Sequence, residues 1–381
     1  MLRILRMLVI LVWVVIAGSA ADEVVKHPDG SLKSRYPVDK HRLRHGTYIE
    51  YHPGGKKKVA AKAAYRSGSL NGVCQRFDLA GALIADETWV EGRLVFPRSI
   101  GFIDGMRQRI AAEAAGHVAK APGSGNPRAP KPEDTAKALA KLRFYRFLCG
   151  VPWDVGIDPA LTDCSQHGAD FLAKLGRLEW NPTKPADMSD EAFTLAAKGC
   201  SQTNQCAGKT LVESIDAMMD DSDPQNIDRL LHRRKMLDPK MRITGFGEAN
   251  QFVTMYAHDK TRPQAVEFSF ISFPPPGYCP IDLITPTTAW HISFNPEHYD
   301  LIDAAVPMDI YTVDASLTRS ARPLDLDFRH VGFDDFGIPG AVVVRPKDLK
   351  LVKGSLYEVV VSGLKPKPGH PASVSYIVSF Y

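Results

Sequence analysis

Apolar side chains recur every three or four positions through two segments near the middle of the chain, the spacing of helices with one buried face. The first segment opens at Pro132, followed by two acids, and ends at the Gly-Val-Pro turn of residues 150–152. The second opens at Pro159 and stops at Gly176. Further helices are predicted at 189–198, 210–221 and 226–235. The centre of the chain is therefore expected to be helical.

Polar and apolar residues alternate between glycine turns in the N-terminal quarter of the chain. The stretch 46–54 (GTYIEYHPG) is echoed at 72–81 (GVCQRFDLAG), and 64–68 is echoed at 88–92, with spacings of 24 to 26 residues. This pattern predicts β-hairpins and resembles MORN-type repeats. Two units are few for a repeat array. We therefore expect a small β appendage, with a surface for a partner or an envelope component as the alternative.

The pattern changes to short strand-like runs after Val266. Pro/Gly turns such as 274–277 separate these runs, and six or seven strands within about 100 residues predict a β-sandwich. The predicted strands are 268–273, 290–294, 308–313, 341–344, 357–361 and 373–380.

A Pro/Gly-rich stretch at 121–131 (APGSGNPRAPK) is the clearest predicted domain boundary. The expected fold class is α+β. The predicted divisions are a signal peptide at 1–21, MORN-like β-hairpin repeats at 22–98, a helix and linker at 99–131, a helix-rich domain at 132–262 and a β-sandwich domain at 263–381.

The first 21 residues have the pattern of a secretory signal peptide. Arg3 and Arg6 precede an apolar run at 7–17, and small residues at 18–21 offer a cleavage site. The run is shorter than the roughly 20 residues that span a bilayer. We expect a secreted or periplasmic protein that is not transmembrane after cleavage. An uncleaved anchor is the alternative.

The charge balance gives no reason to expect a nucleic-acid partner. The formal net charge of the 381 residues is +4, and it falls to +2 without Arg3 and Arg6. A local basic run, Lys56 to Lys58, indicates either a solvated hairpin edge or contact with an anionic envelope polymer.

Export would make the six cysteines potential disulfides. Cys149 and Cys164 close a loop between two predicted helices, and Cys200 and Cys206 flank a short polar loop. We predict these two pairs and leave Cys74 and Cys279 unassigned. The chain has no Cys-x-x-Cys and no histidine at ligand spacing from a cysteine pair, so no metal is expected.

One long motif runs from Met218 to Gly247 (MMDDSDPQNIDRLLHRRKMLDPKMRITGFG). It combines an acidic helix end, the His-Arg-Arg triplet of 232–234, an Asp-Pro turn and a strand broken by Gly245 and Gly247. It resembles the central motif of the CAP superfamily, which includes cysteine-rich secretory proteins, antigen-five allergens and pathogenesis-related proteins. The resemblance implies a CAP (SCP) domain at 132–262 with a three-layer α-β-α sandwich, of the secreted bacterial type.

The resemblance also implies a cleft whose complete version holds two histidines and two acids. The matching positions here are Trp180 for the first histidine, Thr203 for the first acid, Asp220 or Asp221 for the second acid, and His232 for the second histidine. With one imidazole and one carboxylate, the acid/base set is incomplete. No cofactor is expected, and Trp180 would either fill the cleft or offer a flat face to a ligand ring.

Three functions remain open on this basis. The leading one is a secreted, non-enzymatic CAP-domain protein whose cleft and β modules bind an envelope polymer, a lipid or a protein. The alternative is a peptidase-like hydrolase that uses His232 with Asp220 or Asp221. The third is a purely structural envelope protein. The hydrolase requires that these side chains converge on one cleft.

Overall fold

The computed structural model describes residues 22–121, 123, 125–300 and 306–381, and the predicted signal peptide lies outside them. Internal contacts divide the chain into two compact units, with the division between Leu94 and Val95. The described chain is rich in antiparallel strands and contains six α-helices, which confirms a mixed α and β protein. No helix in these ranges is long and apolar enough to cross a membrane.

The first unit contains six strands and the start of a seventh, which pair in sequence order in one sheet. The strands are β1 (Glu23–Lys26), β2 (Leu32–Tyr36), β3 (Gly46–Tyr51), β4 (Val59–Arg66), β5 (Ser69–Phe77), β6 (Leu83–Val90) and β7 (Arg93–Phe96). Three tyrosines, Tyr36, Tyr48 and Tyr65, surround the Arg44 guanidinium at 4.8, 5.0 and 5.3 Å from their ring centres. This cation–π cluster uses aromatic positions of the alternating pattern. The assignment of this sheet to the MORN type stays a prediction.

The helices all belong to the second unit. They are α1 (Ile100–Lys120), α2 (Pro132–Leu148), α3 (Pro159–Leu175), α4 (Asp190–Ser201), α5 (Leu211–Asp220) and α6 (Leu231–Met236). Their ends follow local chemistry. The Asp158 carboxylate accepts the Leu161 N–H at the start of α3, and Gly176 ends it in the left-handed conformation. Thr210 and Glu213 form a capping box at the start of α5.

Helices pack on both faces of a small antiparallel sheet with the order β11–β12–β9. The five strands of this region are β8 (Gly156–Ile157), β9 (Thr203–Ala207), β10 (Ile243–Thr244), β11 (Phe246–Ala249) and β12 (Phe252–Tyr256). On β12, Val253 and Met255 face the cluster that contains α2 and α5, whereas Phe252 faces α3 and α4. This alternation is the period-two pattern of a strand buried on both sides.

Gly245 and Gly247 are required by the approach of α3 to this sheet. A Cβ atom at Gly245 would lie 2.2 Å from the backbone of Leu161, and one at Gly247 would lie 2.4 Å from that of Ser165. Real Cβ atoms do not approach backbone this closely, so no larger residue fits without moving the helix. The glycines of the long motif are therefore packing positions.

The C-terminal region consists of two four-stranded sheets, ordered β13–β15–β19–β18 and β14–β22–β20–β17, and a small two-stranded sheet of β16 and β21. Their strands are β13 (Phe270–Phe273), β14 (Gly277–Cys279), β15 (Trp290–Phe294), β16 (Tyr299–Asp300), β17 (Met308–Val313), β18 (Leu326–Asp335), β19 (Pro339–Pro346), β20 (Leu356–Val361), β21 (Lys365–Pro366) and β22 (Val374–Phe380). Side chains from both four-stranded sheets, among them Trp290, Val342, Val359 and Phe380, form one apolar core. The two sheets therefore pack face to face.

The contacts do not divide the chain at the predicted linker 121–131. Helix α1 packs along α2, where Ile103 and Ile110 share a core with Phe144 and Phe147. The division therefore lies before α1, near residue 94 rather than at the linker.

The predicted boundary at 262/263 does not separate cores either. Ile271 and Phe273 of β13 lie in the same apolar cluster as Leu139 and Ile215 of the helical region. The helical region and the C-terminal sheets therefore stabilise each other within one unit.

Neither predicted disulfide is formed, and all six cysteines are free thiols. The reason is the small sheet that separates the members of each pair. Cys149 and Cys206 lie on the face covered by α2 and α5. Cys164 and Cys200 lie on α3 and α4, on the opposite face. Pairing by sequence proximity failed because residues close in sequence fall in different layers.

Candidate functional site

A histidine and an aspartate are paired at the point where α5 ends and α6 begins. The His232 Nδ1 atom lies 2.7 Å from Asp221 Oδ1, and both side chains are almost fully buried, at 7% and 1% exposure. Asp221 Oδ2 also accepts the backbone N–H groups of His232 (2.8 Å) and Arg233 (3.3 Å). The first N–H groups of a helix lack partners within the helix. Asp221 therefore caps α6 and orients its first histidine at the same time.

The structure distinguishes between the two acids that the sequence left open. Asp221 ends α5 in the left-handed conformation, at φ 44°, which turns its carboxylate toward α6. The Asp220 carboxylate instead accepts the Ser222 hydroxyl at 3.1 Å. Of the two candidates, Asp221 is thus the partner of His232.

The other ring nitrogen of His232 has no partner among the residues that the structure describes. Because a carboxylate only accepts hydrogen bonds, the Asp221 contact places a proton on Nδ1. In the neutral ring Nε2 then carries a lone pair. Nε2 is buried and makes no hydrogen bond with the described residues. Most buried polar atoms in proteins have a partner, so this atom marks a position where one is missing.

Trp180 lies against the His232 ring. The ring centres are 6.2 Å apart with a 32° angle between planes, and Trp180 is 39% exposed. Its loop is held by Gln205 of β9, whose side-chain amide donates to the Glu179 carbonyl (2.9 Å) and accepts the Glu179 N–H (3.0 Å). One part of the indole thus covers the imidazole while another part faces solvent.

Asn204 joins the site, whereas Thr203 does not. The Asn204 side-chain amide donates to the His232 carbonyl at 3.0 Å, and its Oδ1 is buried with no partner among the described residues. The Thr203 hydroxyl donates to the Gly199 carbonyl at 2.6 Å and only closes the end of α4. Sequence reasoning missed Asn204 and Gln205. The sequence predicts them in a short polar loop, whereas the structure places them in the buried part of strand β9.

Arg233 supports the site from behind. Its guanidinium is fully buried and donates to the carbonyls of Met219 (2.6 Å), Asp220 and Ala289 (2.7 Å). Burial lowers the pKa of Arg233, and the nearby carboxylates of Asp221 and Asp220 act in the opposite direction. The cation holds the turn that carries Asp221.

The residues brought together are therefore Trp180, Asn204, Asp221 and His232. Among the described residues, no group of three or more His, Cys, Asp or Glu side chains is placed to hold a metal ion. The set offers an aromatic face, a histidine lone pair oriented by a carboxylate, and an amide oxygen. Such a set can accept hydrogen bonds from a ligand, or it can take a proton.

Comparison of the chain with models of protein families, with curated proteins and with solved structures gives no significant match.

Proposed function

We propose that the protein is an exported, non-enzymatic CAP-type protein that binds an envelope polymer at the Trp180–His232 site. In this proposal a sugar ring of the polymer lies against the exposed part of Trp180, and one of its hydroxyl groups donates to His232 Nε2. The observation that carries the proposal is the unpartnered, buried Nε2 beside a half-exposed indole.

The energetics of the site support binding. A buried acceptor with no hydrogen bond costs about 1–3 kcal/mol, and a ligand hydroxyl that reaches it recovers that cost. A tryptophan contributes a large rigid apolar face at a small cost in side-chain entropy. Asn204 Oδ1, which has no partner in the described part of the chain, is a second acceptor in the same site. Binding sites often combine an apolar surface with a few placed polar atoms in this way.

The CAP assignment rests on the sequence motif, and two structural features agree with it. The motif glycines Gly245 and Gly247 sit where α3 meets the small sheet, and helices cover both faces of that sheet. Export rests on the predicted signal peptide at 1–21.

A binding experiment tests this function. The mature protein is applied to immobilised peptidoglycan and surface polysaccharides, with phospholipid vesicles and envelope protein extracts as the other arms. We expect retention on a glycan, and about a tenfold loss of affinity in Trp180→Ala. Phe333→Ala is the matched control, because Phe333 is an exposed aromatic residue of the same unit at 53% exposure. Equal retention of both variants, or retention on vesicles alone, would refute the glycan proposal.

One observation favours the hydrolase alternative. The 2.7 Å contact between His232 Nδ1 and Asp221 is the arrangement in which a carboxylate orients a general base. Hydrolysis would require a water or a nucleophile at Nε2, just as binding requires a ligand hydroxyl there, and Nε2 is buried. Release of product from peptidoglycan or from a peptide library, lost in His232→Gln, would establish this function in place of the binding one.

A further inference from the structure

A second cleft lies between α1 and the segment that follows α2, apart from the Trp180–His232 site. Its volume is about 450 Å³, within the range of small-molecule sites. The side chains that line it are His117 and Lys120 of α1, Arg143 of α2, Trp153, and the acids Glu113 and Asp154.

Arg143 directs unused donors into this cleft. The residue is only 5% exposed, and its Nε donates to the Val155 carbonyl at 2.7 Å. Neither Nη1 nor Nη2 has a hydrogen-bond acceptor within the described part of the chain. An arginine fixed at Nε and free at both Nη atoms presents two donors in one plane. That geometry fits a two-oxygen anion.

His117 contributes a further donor. The His117 Nε2 atom accepts the Ile157 N–H at 2.9 Å, so the ring is neutral with its proton on Nδ1. Burial lowers the pKa of His117, and the charge of Arg143 lowers it further. Gly156 leaves room for this ring, because a Cβ there would lie 3.2 Å from it. No acceptor for Nδ1–H is present in the described residues.

The two acids of the cleft are engaged by other cations. Glu113 pairs with Arg109 at 2.7 Å, and Asp154 pairs with Arg262 at 2.6 Å. Burial lowers the pKa of Arg143 and both acids act in the opposite direction, so each acid interacts with Arg143 as well as with its partner outside the cleft. With Arg109 and Arg262 counted beside Lys120 and Arg143, four cations stand against the two acids, so the charge around the cleft is positive.

We propose that this cleft binds a small organic carboxylate. The two carboxylate oxygens accept from Arg143 Nη1 and Nη2, and the apolar part of the ligand lies against Trp153. His117 Nδ1–H and the Lys120 ammonium group lie at the same cleft and add donors for a second polar group of the ligand.

Titration calorimetry on the mature full-length chain at neutral pH tests the site, with benzoate as the probe. We expect saturable binding of benzoate, a change in Trp153 fluorescence that is absent in Trp153→Phe, and much weaker binding of benzamide, its neutral analogue. Loss of the charge-assisted pair in Arg143→Gln should lower benzoate affinity about 10- to 100-fold. Arg322→Gln, an exposed arginine of the same unit, is the control and should leave affinity unchanged.

Arg143→Gln also loses the hydrogen bond to the Val155 carbonyl, so weaker binding in this variant could reflect a fold defect. Glu113→Gln is therefore a second test that leaves Arg143 in place. Removing this exposed competing carboxylate should tighten benzoate binding about 2- to 5-fold. Equal binding of benzamide, tighter binding of inorganic phosphate than of benzoate, or no saturable benzoate binding would each overturn the proposal.

Discussion

His232 and Arg233 are neighbours on α6, yet the regions that they enter differ in how completely polar groups are satisfied. Around Arg233, Nε, Nη1 and Nη2 each have a backbone carbonyl acceptor. Around His232, the imidazole Nε2 and the Asn204 Oδ1 are buried acceptors, and neither has a donor among the described residues. Satisfied polar groups stabilise a structural junction, whereas a buried acceptor without a donor costs stability, and a ligand that donates to it recovers that cost.

Arg234 also holds the structure together, although its Nε is buried without a partner among the described residues. It donates to the carbonyls of Ile338 (2.7 Å) and Asp334 (2.5 Å), which joins α6 to the C-terminal sheets. The His-Arg-Arg triplet therefore contains one residue of the candidate site and two residues of the junction.

The largest expected loss of stability follows from removing the Arg233 guanidinium, whose three nitrogens all donate to backbone carbonyls. Arg233→Met leaves the carbonyl oxygens of Met219 and Ala289 without this donor, while that of Asp220 keeps the Ser222 hydroxyl, and it should lower the free energy of unfolding by about 3–5 kcal/mol. Urea denaturation followed by circular dichroism measures this change. Arg322→Gln, on the exposed surface, should stay within about 0.5 kcal/mol of the wild type. A change below about 1 kcal/mol for Arg233→Met would contradict the structural role.

A smaller loss of stability is expected at Gly247, where the backbones of α3 and the small sheet pack so closely that no side chain fits. Gly247→Ala places a methyl group 2.4 Å from the Ser165 backbone and should cost about 2–3 kcal/mol. Gly116→Ala is the matched control. Gly116 lies inside α1 with no atom within 4 Å of its added Cβ, so alanine should stabilise the protein by about 0.5–1 kcal/mol. In thermal denaturation, a lower melting temperature for Gly247→Ala and a higher one for Gly116→Ala would confirm the difference. Equal destabilisation by the two changes would contradict it.

Acid should destabilise the contacts between α6 and the C-terminal sheets through His291. This side chain is fully buried, 3.4 Å from the Arg233 guanidinium. Burial places the pKa of His291 well below 6.5, and the charges of Arg233 and Arg234 lower it further. The unfolded chain binds this proton below pH 6.5 while the folded protein does not, so stability is lost as pH falls through that region. In His291→Gln the slope of unfolding free energy against pH between about 5 and 7 should be smaller. An unchanged slope would refute this assignment.

Much of the helical region could be predicted from the sequence, because its signals are local. Caps and apolar spacing placed α2, α3, α4 and α5 within a few residues of their observed bounds. The predicted helix 226–235 is shorter in the structure, where α6 starts at Leu231. Leu230 adopts a left-handed conformation, at φ 46°, and interrupts it.

What the sequence could not provide depends on contacts between distant residues. The choice between Asp220 and Asp221 depends on a single backbone conformation. The roles of Arg233 and Arg234 depend on carbonyls of Ala289 and Ile338, more than 50 residues away. The cysteine pairs failed for the same reason, since the sheet that separates them forms only in the folded chain.

The smallest expected loss of stability is at Trp180, which lies against the His232 ring. Trp180 is 39% exposed and buries only part of its indole, so Trp180→Ala should cost about 1 kcal/mol, well below the 3–5 kcal/mol of a fully buried aromatic residue. The same change opens space beside the His232 ring, and a water that bonds to Nε2 there offsets part of the lost contact. Glycan affinity should nevertheless fall about tenfold. Unfolding curves and binding isotherms on the same preparation separate the two effects. A loss of 3 kcal/mol or more with unchanged binding would show that Trp180 fills the cleft as a structural plug and that the ligand binds elsewhere.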